Sequence, residues 1–275
     1  MPEGPEIRRE ADRLAAVLEN RTLENVYFGL PRLKRYAASL EEQRVERVTT
    51  RGKAMLIRFD GGLTLFSHNQ LYGKWMVRER GQMPSTRRSL RVGLHTATHS
   101  ALLYSASNIH LLDEAALAVH PFLSRLGPDV LDESLGWRDL KARLKSPEFC
   151  RRSLAALYLD QHFLAGIGNY LRSEILHAAA LPPLARPMDL SEVALGRLSR
   201  QTLAVSLRAY QTGGVTNPPA RVRRLKKAGE TRRGYRFAVF ARQHQPCYGC
   251  GSEVARMTVS SRRLYLCPEC QREGK

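Results

Sequence analysis

CYGCGSEVARMTVSSRRLYLCPEC, residues 247–270, is the stretch that decides how the rest of the chain is read. Cys247-x-x-Cys250 and Cys267-x-x-Cys270 are separated by 16 residues, inside the window of a zinc ribbon. Each knuckle puts two thiolates on one side of a tight turn. Two knuckles make a soft tetrahedral donor set that favours one structural Zn²⁺ and leaves no open position. Four of the five cysteines fall in this terminal segment and Cys150 stands alone. In a reducing compartment that clustering means metal rather than disulfides. Between the knuckles, Arg256–Ser260 and Leu264–Leu266 read as a hairpin whose tip carries Ser260-Ser261-Arg262-Arg263. A metal staple makes up for a core too small to hold such a hairpin, and arginines at its tip suit nucleic-acid phosphates.

Working back from the knuckles, Gly213 to Gly234 reads as a linker with Pro218 and Pro219, followed by a basic run. Arg221 to Arg233 holds seven basic residues and one acid, Glu230. Such runs are usually solvated and mobile. Upstream, helical periodicity predicts helices over Trp137–Leu144, Arg152–Leu159, Asn169–Ala179 and Ser191–Thr212, stopped by Pro182-Pro183 and Gly213-Gly214. Gly166-Ile167-Gly168-Asn169 permits a compact turn that opens a helix. The orphan N–H groups of a helix N-terminus fit a phosphate; an ordinary helix corner with Asn169 as N-cap fits the residues equally well. Leu126-Gly127-Pro128-Asp129 reads as an interdomain linker, and Arg125, just before it, as a surface arginine or a phosphate contact.

From Leu23 to Tyr104 the pattern changes to short strands, at Leu23–Phe28, Arg44–Thr49, Ala54–Phe59, Leu63–Ser67, Leu71–Val77, Leu90–Thr96 and Ala101–Tyr104. Many short strands with frequent turns predict a β-sandwich or barrel. Arg51-Gly52-Lys53 falls between two strands, so Lys53 is expected at a hairpin tip, as an exposed basic turn unless it has a task. In Ser67-His68-Asn69-Gln70-Leu71-Tyr72-Gly73 the favoured reading of the residues alone lets Leu71 and Tyr72 begin the next strand and pack inward. The alternative is a loop able to wedge into a base stack.

Pro5 to Asn20 reads as a helix with Ile7, Ala11, Leu14, Val17 and Leu18 on one face. Ahead of it stand Met1-Pro2-Glu3-Gly4. Loss of Met1 makes Pro2 a secondary amine, and an α-amino group titrates near about 8. Such an amine can attack a sugar carbon to give an imine, with Glu3 beside it to move protons. Proline and glutamate in an ordinary first helical turn are the plainer account.

The charge balance names the class of partner. There are 44 Lys and Arg against 26 Asp and Glu, a net +18, and the pI is about 10.3. A folded chain this basic points to a polyanion, most often nucleic acid. No polybasic amphipathic helix with a bulky apolar face stands out, so no membrane partner is expected. No run of 18 apolar residues exists, and the acids Glu3, Glu6, Glu10 and Asp12 do not suit a signal peptide. A cytoplasmic, nucleoid-associated monomer is the expectation.

Taken together, the motifs resemble the formamidopyrimidine-DNA glycosylase and endonuclease VIII family, most closely its endonuclease VIII branch. The resemblance rests on Met1-Pro2-Glu3-Gly4-Pro5-Glu6, Arg51-Gly52-Lys53-Ala54, His68-Asn69-Gln70-Leu71-Tyr72-Gly73, His120-Pro121-Phe122, Gly127-Pro128-Asp129, Gly166-Ile167-Gly168-Asn169-Tyr170 and the four-cysteine finger with Ser260-Ser261-Arg262. It implies an α+β multidomain fold. An N-terminal helix and β-sandwich (1–126) would be followed by a helix–two-turn–helix domain (127–214), a basic flexible segment (215–234) and a zinc-finger hairpin (235–271).

It further implies a bifunctional glycosylase and lyase acting on damaged double-stranded DNA. In that scheme Pro2 is the nucleophile, Glu3 the acid/base, Lys53 a proton donor in β-elimination, and Arg262 a phosphate ligand for δ-elimination. Gln70, Leu71 and Tyr72 would fill the gap left by the flipped lesion, and Arg125 and Asn169 would hold phosphates. The Gln70-Leu71-Tyr72 triplet resembles the pyrimidine-lesion branch. The basic run from Arg221 to Arg233 departs from the pattern. Oxidised-purine excision and a non-enzymatic zinc-ribbon DNA binder are the rival readings.

Overall fold

A computed structural model describes residues 2–272. The chain divides into two compact units, one of Pro2 with Glu6–Arg125, the other of Glu3–Pro5 with everything from Leu126 onward.

In the first unit, helix α1 (Gly4–Leu18), which belongs to it from Glu6 onward, leads into β1 (Asn25–Phe28) and two one-turn helices, α2 (Pro31–Lys34) and α3 (Ala37–Leu40). Seven strands follow: β2 (Val45–Arg51), β3 (Ala54–Phe59), β4 (Thr64–His68), β5 (Lys74–Glu79), β6 (Leu90–His95), β7 (His99–Tyr104) and β8 (Asn108–Leu112). They form two four-stranded antiparallel sheets, ordered β1-β6-β7-β5 and β2-β3-β4-β8. Val26, Phe28, Trp75, Val92 and Leu103 from one sheet and Val45, Met55, Ile57, Phe59 and Leu65 from the other meet in one core. Ile7, Ala11, Leu14 and Leu18 of α1 close it, as their helical spacing predicts. The unit ends with α4 (Glu114–Ala118), whose N-cap Asp113 accepts from Ala116 N, and a 3₁₀ turn over Leu123–Arg125.

The second unit is helical and ends in a hairpin. Its elements are α5 (Trp137–Lys145), α6 (Leu154–Leu157), α7 (Asn169–Ala178), α8 (Glu192–Gln211), α9 (Pro219–Lys227), α10 (Arg232–Arg236), β9 (Ala255–Val259) and β10 (Arg262–Leu266). Ser153 and Ser191 cap α6 and α8 through their hydroxyls. Leu140, Leu144, Leu171, Ile175, Leu195 and Leu198 form the core, and Leu264 of β10 joins it. Ser260 and Ser261, with φ of 52° and 57°, make the two-residue turn of the β9–β10 hairpin.

Several expectations need correction. Strand β5 starts at Lys74, not Leu71. The helix expected over Arg152–Leu159 shrinks to Leu154–Leu157. Strand β8 and helices α2 and α3 were not expected; they are short, and only tertiary burial of residues such as Leu33, Leu40 and Ile109 fixes them. The basic segment expected as a loose linker is helical over α9 and α10. Pro219 supplies a preset first turn there and Leu225 a buried anchor.

The polar centre of this unit is Glu174. Its carboxylate accepts the backbone N–H groups of Ala238, Val239 and Phe240, each at 2.8 Å, and the Thr216 hydroxyl. Glu174→Ala takes the acceptor from three backbone N–H donors, while the Thr216 hydroxyl keeps Arg236 O at 3.1 Å, at about 1–3 kcal/mol for each group left unpaired. The expected outcome is a loss of several kcal/mol in urea unfolding, with Glu174→Gln intermediate; a change below about 1 kcal/mol would refute this role.

Candidate functional site

Glu3 is buried, 3% exposed, although it is the third residue of the chain. Its Oε2 accepts from Gly168 N at 2.7 Å and Leu171 N at 3.2 Å, and its Oε1 from Tyr170 N at 2.8 Å. These are the orphan donors at the N-terminus of α7, where the helix dipole also favours an anion. The protein's own carboxylate takes these N–H donors. Gly168, not Asn169, is the N-cap. A Cβ on Gly168 would stand 2.5 Å from the Glu3 carboxyl carbon, so only glycine admits this approach. Gly166, at φ +95°, accepts the N–H of Gly4, a residue of the same unit, at 2.8 Å.

Asn169 is the first residue of α7 and half-buried. Its Oδ1 accepts from Arg172 Nη2 at 2.8 Å. Arg172 is fully buried, and no local pattern marks it out. Nη1 donates to Ala155 O at 2.9 Å and Nη2 also to Arg263 O at 3.1 Å. Burial pulls this guanidinium down to about 10, with Glu3 partly restoring it and Arg262 lowering it further. Arg172 therefore joins Glu3, Asn169 and the β9–β10 hairpin in one electrostatic group. Arg262 opens β10 directly after the Ser260-Ser261 turn and is exposed.

In the first unit, Gly52 and Lys53 form the two-residue turn between β2 and β3, closed by the Arg51–Ala54 pair. Lys53 is 8% exposed, which overturns the exposed-turn reading. Ala54 pairs with His68, so the Lys53 turn lies at the sheet end where the 69–73 loop leaves β4. That loop is built around buried groups. Glu10 Oε2 accepts from Asn69 Nδ2 at 2.7 Å and Oε1 from Trp75 N at 3.1 Å. Burial pushes the Glu10 carboxyl above its ordinary value. Gly73 N closes the turn on Asn69 O at 2.7 Å. Gln70 is left-handed at φ 47° and donates its N–H to His68 Nδ1 at 3.1 Å. Leu71 and Tyr72 are consequently 64% and 68% exposed. They do not pack inward, because Lys74 rather than Leu71 begins the strand. Pro2 belongs to this unit and is half-buried; Met1 lies outside the described residues. Arg125 ends the 3₁₀ turn and is exposed.

The four cysteines come together. All Sγ atoms lie within 4.8 Å of one another, with Cys250–Cys267 at 3.4 Å and Cys247–Cys270 at 3.9 Å, and none is in a disulfide. Zn–S bonds of about 2.3 Å in a tetrahedron put sulfurs about 3.8 Å apart, so the donor set fits zinc. His177 of α7, which carries no motif in the sequence, stands 3.6 Å from Cys247 Sγ and holds that thiol well below its ordinary value.

Residues 1–107 match the family model described as formamidopyrimidine-DNA glycosylase N-terminal domain. Endonuclease 8 of Salmonella paratyphi B is 47% identical over 272 residues, covering 99% of this chain and 100% of the relative. Endonuclease 8 of Escherichia coli O17:K52:H18 is 48% identical over 271 residues, covering 98% and 100%. Among solved structures, Lactococcus lactis Fpg (MutM) with DNA containing an N7-benzyl-Fapy-dG superposes with a TM-score of 0.79 at 19% identity, covering 99% of this chain and 100% of that one. The same protein with DNA containing an oxidised pyrimidine gives 0.80 at 18%, with the same coverage. No helix among the described residues is long and apolar enough to cross a membrane.

The first unit carries a pH dependence. His68, His110 and His120 all titrate below the ordinary 6.5, chiefly through burial, with Lys53 adding to His68 and His120 and Arg32 to His110. His68 and His120 each accept a backbone N–H at Nδ1, which requires that nitrogen unprotonated. The unfolded chain binds these protons near about 6.5 and the folded chain only at lower pH. Their stabilisation is therefore present above the unfolded value and lost as pH falls through the depressed folded values. The urea midpoint is expected to drop between about pH 7 and 5, and less so in His110→Asn/His120→Asn; equal slopes in both proteins contradict this.

Proposed function

The chain belongs to the endonuclease 8 family of DNA glycosylase/AP lyases in base-excision repair, and on that premise we propose that it excises oxidised pyrimidines through an N-terminal proline imine and then nicks by β,δ-elimination. The observation that carries this reading is the Glu3 carboxylate, fixed by three backbone donors one peptide bond from Pro2. A group held that firmly can pass protons without reorganising. With Met1 removed, the neutral Pro2 nitrogen bonds to C1′ of the damaged nucleotide as the C1′–base bond breaks and the base leaves with a proton from solvent; the Glu3 carboxylate takes the proton released from that nitrogen and passes it to the ring oxygen as the C1′–O4′ bond opens. The resulting iminium draws electrons from the sugar, so the neighbouring C–H becomes acidic and the 3′ phosphate leaves, then the 5′ phosphate. Lys53, in its tight turn beside His68, serves proton transfer in the elimination. Arg262, Asn169 and Arg125 hold phosphates.

A lesion stacked in the duplex is out of reach, so it must be extruded. Gln70, Leu71 and Tyr72 then occupy the vacated space; the high exposure of Leu71 and Tyr72 on a loop pinned by buried Asn69 supports that role. L. lactis Fpg, on the same fold, is solved with an oxidised pyrimidine and with Fapy-dG in its DNA, so the fold is compatible with either lesion class. Cys247, Cys250, Cys267 and Cys270 would hold one zinc ion, which supplies no chemistry to the reaction but fixes the hairpin bearing Arg262. The protein is taken to act as a monomer on damaged duplex DNA.

Borohydride trapping tests the reaction. A duplex with one thymine glycol should give a covalent band that disappears in Pro2→Thr and is weaker with an 8-oxoguanine duplex. A Pro2-dependent band seen mainly with 8-oxoguanine moves the substrate to purines, and no band on any lesion removes the enzyme reading. Stripping the metal with a chelator should abolish DNA binding because hairpin folding and metal binding are coupled there; added Zn²⁺ should restore it, and full binding without metal refutes the structural zinc.

A further inference from the structure

Helix α9 carries a cationic face that the proposed excision chemistry does not use. Leu225 is buried and Val222, one turn earlier, is half-buried. At about 3.6 residues per turn, Arg223 and Lys227 fall opposite Leu225, flanked by Arg224 and Lys226. All four are exposed. Lys226 rests on the Tyr235 ring at 5.1 Å. Arg223, Arg224 and Lys227 have no side-chain partner among the described residues. Glu230, the single acid between Arg221 and Arg233, acts electrostatically on Arg242 and Tyr248. Arg223 and Lys227 are like charges at i,i+4, an arrangement that opposes the helix in isolation.

Despite that repulsion, α9 is anchored by Leu225 and Arg221, and fixed bonds tie the segments on either side of it. Arg221 Nη1 donates to Asn217 Oδ1 at 3.2 Å, Asn217 Nδ2 to Tyr235 O at 2.9 Å, and Arg236 Nε to Gly214 O at 3.0 Å. Tyr248, from the first cysteine knuckle, donates its hydroxyl to Gly234 O at 2.7 Å, and its ring lies under Arg242 at 3.5 Å and Arg221 at 5.7 Å. The cationic face is thus mounted on the same frame as the cysteine cluster.

We propose that the outward face of α9, centred on Arg223, Arg224 and Lys227, is a second DNA-binding surface that grips duplex phosphates regardless of sequence or damage. DNA presents one phosphate per about 1.7 Å of its axis, while four residues of helix rise about 6 Å, so the three cations meet a continuous row of anions. Arginine forks match phosphate oxygens. A membrane is a poorer partner, since that face carries no bulky apolar side chain to insert. The inference rests on the glycosylase reading only in taking DNA as the polyanion.

The test compares the full chain with Arg223→Gln/Arg224→Gln/Lys227→Gln. Binding to undamaged and thymine-glycol duplexes is measured across about 50–200 mM salt, where phosphate neutralisation is best resolved. The slope of log K against log salt should become shallower by about 2–3, at about 0.9 for each phosphate that the variant no longer neutralises. The weakening should be equal on both duplexes, with single-turnover excision at saturating enzyme unchanged. Arg223→Lys/Arg224→Lys should keep the slope, and Lys227→Gln alone should lower it by about 1, which keeps the test open if the triple variant folds poorly. An unchanged slope, a weakening confined to damaged duplex, or equal weakening in the Lys and Gln variants overturns the proposal. So does weakened binding to phosphatidylglycerol vesicles with an unchanged DNA slope. Failure of wild-type excision bears on the glycosylase reading alone, because the undamaged-duplex slope is read separately.

Discussion

The carboxylate of Glu3 on the N-terminus of α7 is the interaction on which the second unit's chemistry depends. Three N–H donors converge on it, and the helix dipole adds to their field. An anion buried this deeply is tolerable only because its oxygens are satisfied. The cost falls on the neighbouring backbone, which must come close enough for the bonds to form. Gly168 and Gly166 exist for that approach, one by lacking a Cβ and the other by accepting a left-handed turn.

Helix α7 extends the same logic along its length. Arg172 reaches Ala155 and Arg263, Ser173 accepts from Tyr265 N, and Glu174 gathers residues 238–240 with Thr216. Consecutive polar residues in a buried helix would destabilise the fold if any lacked partners. Here each carries a different neighbour, so α7 sets the positions of Asn169, the hairpin and the segment before the first knuckle. The first unit uses a smaller version of the device. Glu10 and Asn69 anchor the 69–73 loop from inside, which leaves the backbone no alternative to presenting Leu71 and Tyr72 outward.

The periodic parts of the fold were legible because burial and spacing agree there. Helix α8 ends within a residue of its expected limits, and the α1 face packs as its apolar spacing requires. The cysteine spacing led directly to four clustered thiols. The failures share a cause. Leu71 and Tyr72 read as core because apolar residues usually are, and nothing local reveals Asn69 held by a carboxylate 59 residues away. Lys53 read as exposed because lysine usually is. The 221–233 run read as a solvated, mobile part of a linker because its charge outweighs one leucine until Leu225 is buried.

By itself, the sequence determined the long periodic helices, most of the strands, the metal-binding donor set and the cationic character, and its motifs carried the family resemblance that implied a β-sandwich. The helices, strands, donor set and charge follow from local spacing or bulk composition, the family from the order of the motifs. Tertiary structure alone decided which anion occupies the end of α7, that Lys53 is buried, that the 69–73 loop faces solvent, and that Glu10, Arg172, Glu174 and His177 matter at all. Those outcomes depend on hydrogen bonds between residues far apart in the chain. Their energies arise only when folding removes water from both partners, so no local pattern records them.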